Sequence, residues 1–72
     1  MVKVYSKKNC MQCKMTKRKL TQLGIQFEEH QIDEEPAALA HVKALGFQQV
    51  PVVETPDSVW SGFRPNRIEE LA

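Results

Sequence analysis

The two cysteines of this 72-residue chain, Cys10 and Cys13, lie three positions apart, so no covalent bond can tie distant segments together. A disulfide between them would close a loop of a few residues, and the chain-entropy account gives the shortest loops the least stabilisation. A chain of this length has room for one domain over residues 1–72 and sits near the lower limit for a core without covalent or metal help. The sulfurs are therefore read as chemical groups and not as a staple. They follow a β-like run, Val2–Tyr5 (β1), and begin a helix-like one.

A Cys-x-x-Cys pair at a strand-to-helix junction admits three chemistries. In a redox dithiol the first cysteine sits at the helix N-terminus, where unpaired N–H groups and the helix dipole favour thiolate over thiol. The second lies one turn on, close enough to attack a mixed disulfide formed at the first. A zinc site needs two further ligands at ligand spacing, and His30 and His41, eleven apart, form no H-x₃₋₅-H pattern. A copper(I) transfer loop can use two thiolates, aided by a methionine two residues before the first, but Lys8 stands there. The redox reading is preferred, with no metal assigned and copper(I) carriage as the alternative from another class.

The 42% hydrophobic and 26% charged residues fit an ordinary globular chain, and no apolar run is long enough to cross a membrane. Met1 to Asn9 alternates and carries lysines, unlike a signal peptide, so a cytoplasmic location is expected, where reducing systems open passive disulfides. The net charge of +1 hides an asymmetry. Lys3, Lys7, Lys8, Lys14, Lys17, Arg18 and Lys19 precede residue 20 with no acid among them, and every acid, from Glu28 to Glu70, follows. Cations around Cys10 favour its thiolate and can steer an acidic partner. Arg18 and Lys19 read instead as a solvated helix face. No aromatic residues interleave with the lysines, which argues against nucleic acid.

Residues 11–23 (α1) repeat Cys13, Thr16, Leu20 and Leu23 at helical spacing, with Gly24 as the stop. Gln26–Asp33 (β2) reads as a strand in which Phe27 and Ile32 differ in parity, so one face assignment fails or both faces are partly covered. His30 reads as a surface or packing residue. Pro36 suits the first turn of a helix over 36–45 (α2), with Leu39, Val42 and Leu45 inward and His41 on the solvent side. Gly46-Phe47 follows as cap and hydrophobic contact. Val50–Glu54 (β3) starts at a proline that cannot donate to a ladder, which predicts an edge or a bend. Thr55-Pro56-Asp57 turns the chain into Ser58–Trp60 (β4), and Ser61-Gly62-Phe63 turns it out again. Arg64–Leu71 (α3) closes it with Ile68 and Leu71 inward. The expected class is α/β in the order β1-α1-β2-α2-β3-β4-α3, a parallel βαβ unit followed by an antiparallel hairpin, with helices on the faces of a four-stranded mixed sheet.

Cys10-Met11-Gln12-Cys13, then Gly46-Phe47 ahead of Val50-Pro51, then Trp60-Ser61-Gly62-Phe63-Arg64-Pro65, resemble in this order the NrdH-redoxin family, glutaredoxin-like proteins of the thioredoxin fold. The resemblance covers the whole chain. It implies a small dithiol-disulfide oxidoreductase that donates electrons to the large subunit of class Ib ribonucleotide reductase and is itself reduced by thioredoxin reductase. NADPH is then used only indirectly, through the reductase, and the reversible Cys10–Cys13 disulfide is the only redox group of a monomer. Cys10 is implied as nucleophile and Cys13 as resolving thiol. Met11, Gln12, Val50, Pro51, Trp60, Ser61, Gly62, Phe63 and Arg64 are implied as the partner-facing set. A cis bond before Pro51 would leave the Val50 backbone free to pair with an extended substrate segment.

Glutaredoxins carry a Gly-Gly turn followed by an acid that helps hold glutathione. Here Ser61-Gly62-Phe63-Arg64-Pro65 stands in its place and the carboxylate is missing, which leaves a glutathione-dependent glutaredoxin as the alternative within the same class. Three residues keep second readings. Phe63 reads as core or pocket wall, and Trp60 divides between core and partial exposure at the partner surface. Arg64, a cation opposing the dipole at a helix start, implies a specific partner, either a loop carbonyl or an acid.

Overall fold

The computed structural model describes residues 1–72. Its elements are β1 (Val2–Ser6), α1 (Met11–Gln22), β2 (Phe27–Gln31), α2 (Pro36–Ala44), β3 (Val52–Glu54), β4 (Val59–Ser61) and α3 (Pro65–Glu69). The strands form one sheet in the order β2-β1-β3-β4. β1 and β2 are parallel and joined through α1, whereas β3 runs antiparallel to both β1 and β4. This is the expected mixed sheet, with β3 in its interior. Its proline therefore lies at a bend and not at an edge: Pro51 precedes the strand, after a cis Val50–Pro51 bond.

Both long helices stop the same way. At the end of α1, Gly24 takes φ 72° and donates to the Thr21 carbonyl at 3.0 Å, while Ile25 N–H reaches the Leu20 carbonyl at 2.9 Å. At the end of α2, Gly46 takes φ 89° and donates to Lys43 at 3.0 Å, while Phe47 N–H reaches Val42 at 3.2 Å. These paired bonds satisfy carbonyls that a helix end leaves free, and the left-handed position suits glycine. The second motif ends α2 at Ala44, so Leu45 becomes the cap and is exposed, contrary to the inward position expected for it. Ala38 and Val42, one turn apart, are the buried pair instead.

Strand register sorts the side chains to two faces. Val4 pairs with Val53 and Val53 with Trp60, and these three pack with Leu20 of α1 and Ile68 of α3. Tyr5 pairs with Val52 on the opposite face, under Ala38 and Val42 of α2. The parity conflict in β2 resolves the same way. Phe27 packs with the first cluster and Ile32, just beyond the strand, with the second, so both faces are covered. β2 ends at Gln31 because its carbonyl accepts from the N–H groups of Glu34 and Glu35, which turn the chain into α2. His41 is only partly on the solvent side expected for it: its side chain is 41% exposed, but its ring lies 5.3 Å from that of Tyr5 and its Nε2 3.0 Å from Glu54 Oε1. No helix is long and apolar enough to cross a membrane.

Candidate active site at the dithiol

β1 delivers the chain to the site. Buried Ser6 accepts the Ile32 N–H at 2.8 Å through its carbonyl, and Lys7–Asn9 then turn into α1. Asn9 has φ 56°, a left-handed conformation that asparagine tolerates better than most residues. Cys10 follows as the N-cap, in extended geometry with φ −116° and ψ 107°. Its Sγ accepts the Cys13 N–H at 3.2 Å and its carbonyl accepts the Lys14 N–H at 3.1 Å. The sulfur thus occupies the place of an N-capping oxygen, against backbone donors that a helix start leaves unpaired. No acid lies in the first turn to oppose negative charge there. Cys13, on the inner face of α1, is 1% exposed, while Cys10 is half-buried, and the two are joined as a disulfide with Cα atoms 5.2 Å apart.

The segment before β3 forms the facing wall. The Val50 carbonyl oxygen lies 4.0 Å from Cys10 Sγ. Two contacts from the exit of β4 fix the segment: Gly62 N–H donates to the Pro51 carbonyl at 2.8 Å, and Ser61 Oγ to the Gln49 carbonyl at 3.1 Å. Gly62 makes this turn at φ 88°, where any side chain would be strained. No backbone hydrogen bond engages either the N–H or the carbonyl of Val50. Between the walls lies a cleft of about 460 Å³, lined by Lys7, Asn9, Cys10, Met11, Gln12, Ile32, Gln48, Gln49 and Val50.

Of the residues singled out in the sequence, Cys10, Met11, Gln12 and Val50 meet in this cleft, and Ser61, Gly62 and Pro51 brace it from behind. Trp60 does not face it. At 4% exposure its ring belongs to the core, with Arg67 stacked 4.9 Å above it, so the core reading replaces the exposed one. Phe63 packs against the same cluster, as core or wall was expected to. Arg64 donates from Nε to the Ser61 carbonyl at 3.1 Å, the loop carbonyl that its opposition to the helix dipole called for. Asn9, Ile32, Gln48 and Gln49 were not anticipated as lining residues. Only the two glutamines carried a signal, a polar pair between a helix stop and an X-Pro step.

The cations around the site divide into held and unheld groups. Lys17 pairs with Glu29 at 2.6 Å, Lys19 with Glu69 at 2.9 Å and Lys8 with Glu34 at 3.8 Å, whereas no ion pair engages Lys7, Lys14 or Arg18. Lys19 is therefore not the freely solvated cation expected. The hydrogen bond from Lys17 holds the Glu29 carboxyl below its ordinary range, with Ser6 assisting and burial working against it. No group of three or more His, Cys, Asp or Glu side chains is gathered as metal ligands.

Residues 2–60 match the glutaredoxin family. The chain belongs to that family. The glutaredoxin-like protein NrdH of Lactococcus lactis subsp. lactis is 49% identical over 72 residues, the full length of both chains. Escherichia coli K12 NrdH is 41% identical over 70 residues, 97% of this chain and 86% of that one. The solved structure of the E. coli NrdH-redoxin superposes with a TM-score of 0.95 at 41% identity, covering 99% of this chain and 93% of the other. It is described as a glutaredoxin-like protein with a thioredoxin-like activity profile. The sheet order and the β1-α1-β2-α2-β3-β4-α3 path are those of the thioredoxin fold as glutaredoxins use it. Family and Cys-x-x-Cys pair together make the chain a thiol-disulfide oxidoreductase.

Proposed function

We propose that the chain is a dithiol donor to protein disulfides, with class Ib ribonucleotide reductase as electron acceptor and thioredoxin reductase, fed by NADPH, as electron source. One observation carries the reading: Cys10 caps α1 half-exposed in an open cleft while Cys13, one turn away, is sealed inside. In the reduced protein the Cys10 thiolate, favoured by the Cys13 N–H and the helix start, attacks one sulfur of the partner disulfide. A mixed disulfide forms and the first partner thiolate leaves. Cys13 then gives up its proton and attacks Cys10 Sγ, releasing the second partner thiolate and leaving the Cys10–Cys13 disulfide. Two electrons have passed to the partner, and the reductase returns them from NADPH. The unengaged Val50 backbone offers one donor and one acceptor beside the sulfur, so an extended partner segment can pair strand-like without its side chains being read.

The donor assignment follows from the turn after β4. Pro65 stands where glutaredoxins place the acid that helps hold glutathione, and Arg64 points its guanidinium back to Ser61. Thioredoxin reductase with NADPH is expected to reduce the disulfide well, and glutathione with its reductase poorly. Cys10→Ser is expected to abolish transfer, whereas Cys13→Ser stalls as a covalent complex visible by mass spectrometry. A better rate with glutathione, or a trapped complex on Cys13 instead of Cys10, overturns the reading.

A further inference from the structure

We infer that the outer face of α1 beside the dithiol is a docking ridge for a partner segment that carries acidic side chains around an apolar one. The inference rests on the reading of the chain as a donor to protein disulfides and adds the chemistry of the partner.

Met11, Lys14, Met15 and Arg18 are spaced i, i+3, i+4 and i+7, the spacing that places residues on one helical face. The helix already has a core-facing stripe, Cys13, Thr16 and Leu20, so this is a second stripe, turned outward. Met11 is 70% exposed and Met15 41%, and with Lys14 and Arg18 they line a hollow of about 330 Å³. Met11 also lines the cleft that holds Cys10, so the hollow and the redox site share a wall. A segment bound along α1 would therefore run into the dithiol.

Charge fixes what that segment carries. Of the four cations on α1, Lys17 and Lys19 are held by Glu29 and Glu69, and the two on the outer stripe, Lys14 and Arg18, are held by nothing. They sit one turn apart, where like charges repel each other. With no acid in the first turn, the ridge is a positive strip around two soft side chains. Methionine adapts to apolar groups of different shape, and cations at a rim act mainly on encounter rate and on choice of partner. Acidic residues bracketing a leucine or phenylalanine complement this pattern. No aromatic residue lies on the face to stack with nucleic acid bases.

The test uses the reduced full chain in single-turnover exchange with two peptides that carry the same intramolecular disulfide, one flanked by Asp-Leu-Glu and the other by Gln-Leu-Gln. Products are acid-quenched and separated by chromatography. Each rate is divided by the rate for hydroxyethyl disulfide, so that any change in Cys10 reactivity cancels. The acidic peptide is expected to react about tenfold faster at low ionic strength, with the preference collapsing in about 0.5 M NaCl. Lys14→Glu with Arg18→Glu should reverse the preference, and Lys14→Arg with Arg18→Lys should keep it. Met15→Ser should slow both peptides relative to hydroxyethyl disulfide. Equal rates for the two peptides, or a preference that survives charge reversal, overturns the ridge. If hydroxyethyl disulfide is reduced and neither peptide is, the donor reading itself fails and the ridge falls with it. Binding of phosphatidylglycerol vesicles through Lys14 and Arg18, without peptide preference, assigns the face to lipid and also overturns the proposal.

Discussion

On one side of the sheet, Val4, Leu20, Val53, Trp60 and Ile68 pack as a single apolar cluster between α1 and α3. On the other, Tyr5 and Val52 share their layer with ionisable groups. Tyr5 Oη donates to Glu54 at 3.2 Å, His41 bonds the same carboxylate, and His30 stacks on the Tyr5 ring while reaching Glu35 at 3.1 Å. The dithiol is built from the first side and the facing wall of the cleft from the second. Cys13 is rooted in the helix that contributes Leu20, whereas Ile32, Gln48, Gln49 and Val50 hang from the α2 side. The helix that carries the dithiol thus rests on an all-apolar cluster, whereas the facing wall hangs from a layer that mixes apolar side chains with hydrogen-bonded ionisable ones.

Truncation should expose this difference most strongly. Leu20→Ala and Ile68→Ala, each at a fully buried position, are expected to cost about 2–5 kcal/mol in urea denaturation. That is a large fraction of what a domain of this size has in hand, roughly 0.05–0.15 kcal/mol per residue. Val42→Ala on the α2 side removes two methyl groups and should cost about 1.5 kcal/mol at about 0.8 per group. If Val42→Ala destabilises as much as Leu20→Ala, the α2 side is as tightly built as the other and the contrast is wrong.

The carboxylate of Glu54 offers the next test. Glu54→Ala leaves the Tyr5 hydroxyl and His41 without their shared acceptor and should cost about 1–2 kcal/mol, less where water can substitute. Tyr5→Phe in the same chain should recover part of that loss, since no hydroxyl is then orphaned. The chain has a single tyrosine, so its ultraviolet titration reads Tyr5 alone. Burial, followed by Glu54, pushes Tyr5 up to about 12. In Glu54→Ala it should fall but stay above the ordinary value, because burial remains. Glu54 is itself held below its ordinary value, chiefly by the His41 hydrogen bond. Its contribution is therefore present above the unfolded-state value and is lost as pH falls through the folded one. A titration of Tyr5 that does not move would remove Glu54 from the account.

The legible parts of the sequence were those governed by local rules. Helix stops at Gly24 and Gly46, the crossover from β1 to β2, and the sulfur at a helix start each follow from a few neighbouring residues. Leu45 misled because the glycine motif ends the helix one residue earlier than periodicity alone suggests. Trp60 and His41 were illegible for another reason. Whether a residue on a short strand or a helix flank is covered depends on which distant element lands on it. Nothing near Trp60 announces Leu20 and Ile68, and nothing near His41 announces Tyr5 and Glu54. The cleft shows the same limit: Cys10 and Val50 could each be picked out, but Ile32 enters the lining only through the parallel pairing of β1 with β2.

The smallest expected effect is also the most selective for the α2 side, because both histidines lie there and the other side holds none. His30 is surrounded by Glu35, Glu28 and the Tyr5 ring, with Lys3 and His41 lining the same hollow. The Glu35 hydrogen bond raises its pKa, with Glu28 adding and burial opposing. A raised histidine stabilises the fold in full below its unfolded value, near 6.5, and the contribution disappears as pH rises through the folded value. Partly exposed ion pairs of this kind are worth about 0.2–1 kcal/mol. Relative to His30→Gln, the parent chain should therefore gain roughly 1–8 °C of Tm at pH 6 and lose that margin as pH rises through the folded-state value. Added salt should shrink the margin, since the carboxylates are open to solvent. Parallel melting curves for the two chains across this range would mean that the His30 ion pairs add nothing to the stability of the α2 side.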